Sequence, residues 1–90
     1  MDPDYEWDYE KSAANVAKHG IDFAHAVAVF DDPFAVTIPD PDTMGEARYV
    51  ILGMDALRRV LVVVYAESAD AIRIISARRA TRKERRNHAI

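Results

Sequence analysis

Residues 48–77 read RYVILGMDALRRVLVVVYAESADAIRIISA, and the fold turns on how this stretch divides. Three runs rich in β-branched and aliphatic residues stand out, Arg48 to Leu52, Arg59 to Tyr65 and Ala71 to Ala77, separated by short polar turns. Connections this short favour antiparallel hairpins over crossovers, so the stretch predicts a meander of three strands. Strict alternation along the last run would put Ile72, Ile74 and Ser76 on one face and Arg73, Ile75 and Ala77 on the other.

Upstream, Phe34 to Ile38 reads as a further strand, and Pro39-Asp40-Pro41-Asp42 with Gly45 as the loop that follows it. Before that the period is helical. Asp8 is placed to cap a helix from Tyr9 to His19, with Glu10 in its first turn and Gly20 at its end. Asp22 is placed to cap a second, short helix whose apolar stripe is Phe23, Val27 and Phe30, stopped by Asp31-Asp32-Pro33. Tyr5-Glu6-Trp7 alternates like a short strand. Downstream, Thr81 with Glu84 three residues on is a capping-box signature for a last helix. The order β-α-α-β-β-β-β-α predicts one α+β domain over residues 1–90, a mostly antiparallel sheet with helices packed on one face.

The composition is that of a globular chain: 50% hydrophobic and 30% charged over 90 residues. There is no cysteine, which excludes a disulfide framework and a thiolate zinc site. The longest apolar run, Val60 to Ala66, is too short to span a bilayer, and the acidic start is unlike a secretory signal; a cytoplasmic protein without membrane contact is the expectation. Charge is unevenly spread. Residues 1–72 hold fourteen Asp/Glu against five Lys/Arg, whereas residues 73–90 hold seven Lys/Arg against the single Glu84. A basic end of this kind can attract phosphate even on a chain whose net charge is −3. Taken alone, such a charge run reads first as a solvated C-terminal helix.

Several side chains are candidates for chemistry. Arg73 interrupts an apolar strand, so its guanidinium must reach a phosphate, an acidic partner or simply solvent by snorkelling. Arg48, Arg73 and Tyr65 on one sheet face would pair phosphate-binding cations with a ring for stacking a base, and strand register decides whether they share that face. On the first helix, Lys11, Asn15 and Lys18 fall on one side, with His19 at the C-terminal end as a titratable group or a cap. His25 and His88 lack metal-ligand spacing, and neither a phosphate-cradling glycine loop nor a Ser-His-Asp arrangement occurs; no metal and no cofactor are expected. RNA cleavage needs none, because the 2′-hydroxyl is an internal nucleophile. From residue types alone, an enzyme and a binding module remain evenly matched.

A resemblance bears on that choice. Trp7-Asp8, Lys11, Asn15 and Lys18-His19-Gly20 with Phe23, then Ala26 to Phe30 with Asp32-Pro33, then Gly45-Glu46-Ala47-Arg48-Tyr49 with Gly53, and above all Ile72-Arg73-Ile74-Ile75-Ser76-Ala77-Arg78-Arg79-Ala80 followed by Glu84-Arg85-Arg86, together resemble the BrnT toxin family. The likeness runs from about Trp7 to His88. It implies a RelE-like fold, an RNA-cleaving activity that inhibits translation, and a cognate ribbon-helix-helix antitoxin of the BrnA kind. That antitoxin would form a 2:2 complex and carry the pair to operator DNA. The family's polar positions fall on Lys18, His19, Arg48, Arg73, Ser76, Arg78, Arg79 and Glu84. The resulting expectation is a metal-independent endoribonuclease. Arg48, Arg73 and Arg78 would hold the scissile phosphate, and His19 or Glu84 would carry the proton. Lys18, Tyr65, Ser76, Arg79, Arg82 and Lys83 would contact RNA. Two positions depart from the pattern: Asp42-Thr43-Met44, where relatives place a histidine, and His88, where a tyrosine is common. The rival readings are a non-catalytic nucleic-acid-binding module or subunit of a transcription-repressing complex, and a basic helix that only docks an acidic protein.

Overall fold

A computed structural model of the chain describes residues 4–41 and 46–88. Its elements are β1 (Asp4–Glu6), α1 (Tyr9–His19), α2 (Phe23–Ala26), a 3₁₀ turn (Val27–Asp31), β2 (Val36–Pro39), β3 (Arg48–Met54), β4 (Val60–Glu67), β5 (Ala71–Arg79) and α3 (Arg82–Arg85). The loop residues Asp42 to Gly45, including the Asp42-Thr43-Met44 departure, lie outside the described residues.

Local chemistry sets the helix boundaries. The Asp8 carboxylate accepts hydrogen bonds from the N–H groups of Glu10 and Lys11, and Gly20 takes the left-handed φ of 73° while its N–H donates to the Val16 carbonyl. Asp22 caps α2 through the Ala24 N–H. The apolar stripe differs from the expected one. α2 gives way to the 3₁₀ turn after four residues, so burial follows a period of three, Phe23, Ala26 and Val29, and leaves Val27 and Phe30 half-buried. β2 starts two residues later than expected because Asp32 holds the chain in a turn, accepting from the Phe34 N–H on its side chain and the Ala35 N–H on its carbonyl.

The five strands lie in the order β1-β5-β4-β3-β2. β2–β3, β3–β4 and β4–β5 are antiparallel, as short connections dictate, but β1 runs parallel to β5, so the sheet is mixed rather than antiparallel. The chain leaves β1, crosses the helical layer to the far edge at β2, and returns by hairpins. That brings the last strand beside the first, a non-local pairing with no signature in sequence.

α1, α2 and the 3₁₀ turn cover one face, over a core of Ile21, Phe23, Ala26, Val29, Ile51, Leu61, Val63, Tyr65, Ile74 and Ala77. Gly53 permits this close approach, since a Cβ there would stand 3.0 Å from the Val29 Cβ and 3.1 Å from its carbonyl oxygen. Two of the residues that α1 buries are polar and act as clamps. The Asn15 side chain donates to the carbonyls of Ile21 (2.8 Å) and Ala77 (2.7 Å) and accepts from the Ala77 N–H, while Ser12 Oγ accepts from the Phe23 N–H. Asn15 therefore belongs to the packing and not to a solvated face shared with Lys11 and Lys18.

The second face is open. Val60, Val62 and Ala80 are buried there with Val50, Leu52 and Met54 against them. α3 does not join the other helices: its Glu84, with the following Asn87, borders this second face beside Val36, Ile38, Val50, Leu52 and Val62, around a groove of about 430 Å³.

Candidate nucleic-acid site on the open sheet face

A single irregularity decides which side chains reach the open face. Val64 pairs with Ser76, but the next residue, Tyr65, pairs with Ile74, so Ile75 is an extra residue in β5. Such a bulge inverts the alternation beyond it. Ile72, Ile74 and Ala77 face the core, and Arg73, Ser76 and Arg78 all face the opposite side, which corrects the strict alternation expected from the sequence.

Register then places the arginines. Arg48 on β3 and Arg73 on β5 are both partners of Ala66 on β4, so the two flank one small side chain on the open face. Their side chains are 41% and 47% exposed. Glu46 stands between them, hydrogen-bonded to the Arg73 guanidinium and 3.8 Å from Arg48 Nε. A hollow of about 150 Å³ beside Arg73 is lined by Glu6, Glu46, Ala66, Glu67 and Ser68. Glu46 is shared by the two guanidiniums, whose remaining exposed donors fit the oxygens of a phosphate, while Glu6 and Glu67 add negative charge on the Arg73 side of the hollow.

Arg78 shares the face but not the spot. Its partner Val62 lies four residues up β4 from Ala66, about 13 Å along the strand. Both of its terminal nitrogens donate to Glu84, at 2.8 and 2.9 Å. Glu84 also closes the capping box, accepting from the Thr81 N–H while its own N–H donates to Thr81 Oγ1. The bonds from Arg78, then the Thr81 N–H, hold the Glu84 carboxyl down at about 2. Glu84 in turn raises Arg78 above the ordinary arginine value. A carboxyl that acidic is a weak proton acceptor and is not available as a proton donor near neutrality. The expected convergence of Arg48, Arg73 and Arg78 therefore reduces to Arg48 with Arg73, and Glu84 leaves the set of proton carriers.

Tyr65 is also corrected. It points into the core, 7% exposed, stacked on Tyr49 with ring centroids 5.5 Å apart and edge-on to Phe30 at 4.9 Å. Burial raises its phenol above the ordinary value. No base can stack on it there. Lys18 and His19 are exposed at the end of α1, in the helical layer, with the sheet between them and the arginines. Ser76 is half-buried between Arg73 and Arg78; Arg82 and Lys83 are exposed on α3; Arg79 is exposed at the far end of β5, beside Arg58, Arg59 and Arg85.

Two groups named in the sequence without a role gain one in the fold. Glu46 sits two residues before Arg48, and only register with β5 shows that it reaches Arg73 as well. His88 is buried, 6% exposed, with Nε2 2.6 Å from the Asp32 carboxylate. Asp32 accepts in addition from the N–H groups of Met54 and Phe34. Burial pushes the Asp32 carboxyl up, but those bonds and His88 outweigh it and hold it below the ordinary value. The pair pins the chain after α3 to the turn before β2. Among the described residues, no three His, Cys, Asp or Glu side chains are grouped so as to hold a metal ion, and no helix is long and apolar enough to cross a membrane.

Residues 7–84 match a family model described as the ribonuclease toxin, BrnT, of type II toxin–antitoxin systems. Among solved structures, the chain is similar to the crystal structure of the Brucella abortus ribonuclease toxin BrnT, with a TM-score of 0.70 and 27% identity over 90% of this chain and 100% of that one. No curated protein matches it.

Proposed function

Since the chain belongs to the BrnT family of ribonuclease toxins from type II toxin–antitoxin systems, we propose that it cleaves RNA at the Arg48–Arg73 end of its open sheet face. The observation that carries this reading is the arrangement around Ala66: two exposed arginines in register on either side, with a carboxylate between them. Arg48 and Arg73 bind the scissile phosphate and neutralise the second negative charge that develops on it. Glu46 takes the proton from the 2′-hydroxyl. The 2′-oxygen then bonds to phosphorus as the bond to the 5′-oxygen breaks, and water protonates the departing oxygen. The products are a 2′,3′-cyclic phosphate and a 5′-hydroxyl, and Glu46 returns its proton to solvent. No step requires a metal ion.

Family membership implies a cognate antitoxin. We take it to be a ribbon-helix-helix protein of the BrnA kind, joined in a 2:2 complex and supplying the contact with operator DNA. The exposed apolar side chains Val36 and Ile38 give such a partner a place to dock beside the arginines, where it would cover them. Free toxin would act in the cytoplasm and arrest translation.

The test is incubation of purified protein with single-stranded RNA in chelator. Cleavage to cyclic-phosphate ends is expected, and a strand carrying a 2′-deoxy sugar at the cleavage position should remain intact there. Cutting of the deoxy-substituted position would contradict the mechanism, and salt-sensitive binding without products would favour the non-catalytic module.

A further inference from the structure

At the end of the sheet away from Ala66, the β3–β4 turn, the end of β5 and α3 enclose a cavity of about 280 Å³ lined by Met54, Val60 and four arginines, Arg58, Arg59, Arg79 and Arg85. Its charge is poorly matched. Arg59 is tied to Asp55, but among the described residues Arg58, Arg79 and Arg85 have no carboxylate partner. The Arg59 Nε donates to Asp55 Oδ2 at 2.8 Å, with Nη2 2.6 Å from the same oxygen, so the unmatched charge is that of the other three. Guanidiniums gathered around a cavity repel one another until an anion enters, and their forked donors match the oxygens of a phosphate.

The backbone adds an independent sign. Arg58 adopts a φ of +64°, where a residue with a Cβ is strained and glycine is not. The turn itself does not need an arginine side chain there, since Asp55 organises it by accepting from the N–H groups of Leu57 and Arg59. What the arginine adds is a cation at the mouth of the cavity.

We propose that this cavity is a second phosphate site, which grips the RNA backbone several nucleotides from the point of cleavage. This rests on the RNA-cleaving reading above and deepens it. Val60 lies six residues along β4 from Ala66, so the two sites are about 20 Å apart and only a strand of several nucleotides can bridge them. Substrate length is the consequence: short RNA engages Arg48 and Arg73 alone, and longer RNA engages both ends.

The experiment measures the affinity of non-cleavable 2′-O-methyl RNA, a 16-mer and a tetramer, across a salt series. It compares the wild type with Arg58→Gly/Arg79→Gln/Arg85→Gln and with Arg58→Gly alone. The triple variant should bind the 16-mer at least tenfold more weakly, with a salt slope smaller by about 2, at roughly 0.7 per lost charge on a single strand. Its affinity for the tetramer should stay within about twofold of wild type, by the same counting of lost phosphate contacts. Arg58→Gly alone should lose part of the 16-mer affinity and melt at the wild-type temperature or above. Unchanged 16-mer binding by the triple variant, an equal loss for the tetramer, or a lower melting temperature for Arg58→Gly would each overturn the site. So would unchanged RNA binding combined with lost affinity for an acidic peptide. Were the wild type to cleave no RNA while the length-dependent loss persisted, the phosphate site would stand and the cleavage reading would fall.

Discussion

The open sheet face has two arginine–carboxylate groups, and they differ in stoichiometry and in rigidity. Near Val62, one arginine faces one carboxylate: Arg78 gives both terminal nitrogens to Glu84, which is fixed a second time by the capping box of α3. Near Ala66, two arginines share one carboxylate, and among the described residues nothing but those arginines holds the Glu46 side chain. The first group is neutral and closed; it fastens α3 to the sheet. The second is open: its guanidiniums keep exposed donors, and Glu46 is shared between them rather than locked to one. The same residue types make a rivet in one place and a reactive site in the other.

Replacing the bridging group should sharpen this contrast most. Glu46→Gln keeps the shape and removes the proton acceptor, so cleavage should fall by about 10²–10⁴, the usual range for a lost general base, while RNA binding holds or strengthens. Cleavage within a few-fold of wild type would show that Glu46 only screens the arginines. Next in size is Asn15→Ala, which strips partners from buried groups of Ile21 and Ala77 and should destabilise the fold by about 2–3 kcal/mol in denaturant titration. Because Ala77 lies just past the bulge, a neutral outcome would mean that the phase of β5 is set without α1.

The smaller effect belongs to the rivet. Glu84 has its carboxyl at about 2 in the fold against an ordinary 4.5. A depressed carboxyl adds stability above its ordinary value, and that stability is lost as pH falls toward the folded value. Between about pH 5 and pH 2 the wild type should therefore lose the Arg78–Glu84 contribution, about 1–2 kcal/mol after allowance for its part-exposed position. Glu84→Gln should lack that amount at neutral pH and show a shallower acid slope; identical acid profiles would mean that the pair adds nothing.

Much of the architecture is written in local chemistry. The Asp8 cap, the Gly20 stop, the Thr81–Glu84 box and the three strands of residues 48–77 all follow from side chains acting on neighbouring backbone, and each lies within two residues of where its signals place it. What the sequence hides is non-local. One unpaired residue, Ile75, swaps Ser76 and Ala77 between faces, and nothing in a run of isoleucines marks where the bulge falls. The parallel pairing of β1 with β5 joins the two ends of the chain. Tyr65 read as a surface aromatic because it closes an apolar run, whereas register with Ile74 sends it into the core. The candidate site suffers most from this: Arg73 was legible as a polar interruption of its strand and Arg48 as a cation opening another, but their meeting across Ala66, with Glu46 between them, exists only in the folded sheet.

Single-turnover cleavage of one RNA in chelator by Arg73→Ala and Arg78→Ala, each with its folding checked by thermal melting, tests the division of labour directly. Arg73→Ala should cleave about 10²–10³ more slowly than wild type with little change in melting, as for loss of a donor to the developing charge, and Arg78→Ala should melt lower yet cleave within about tenfold of wild type. Equal losses of cleavage in both, or the larger loss in Arg78→Ala, would contradict the assignment of chemistry to the Ala66 end.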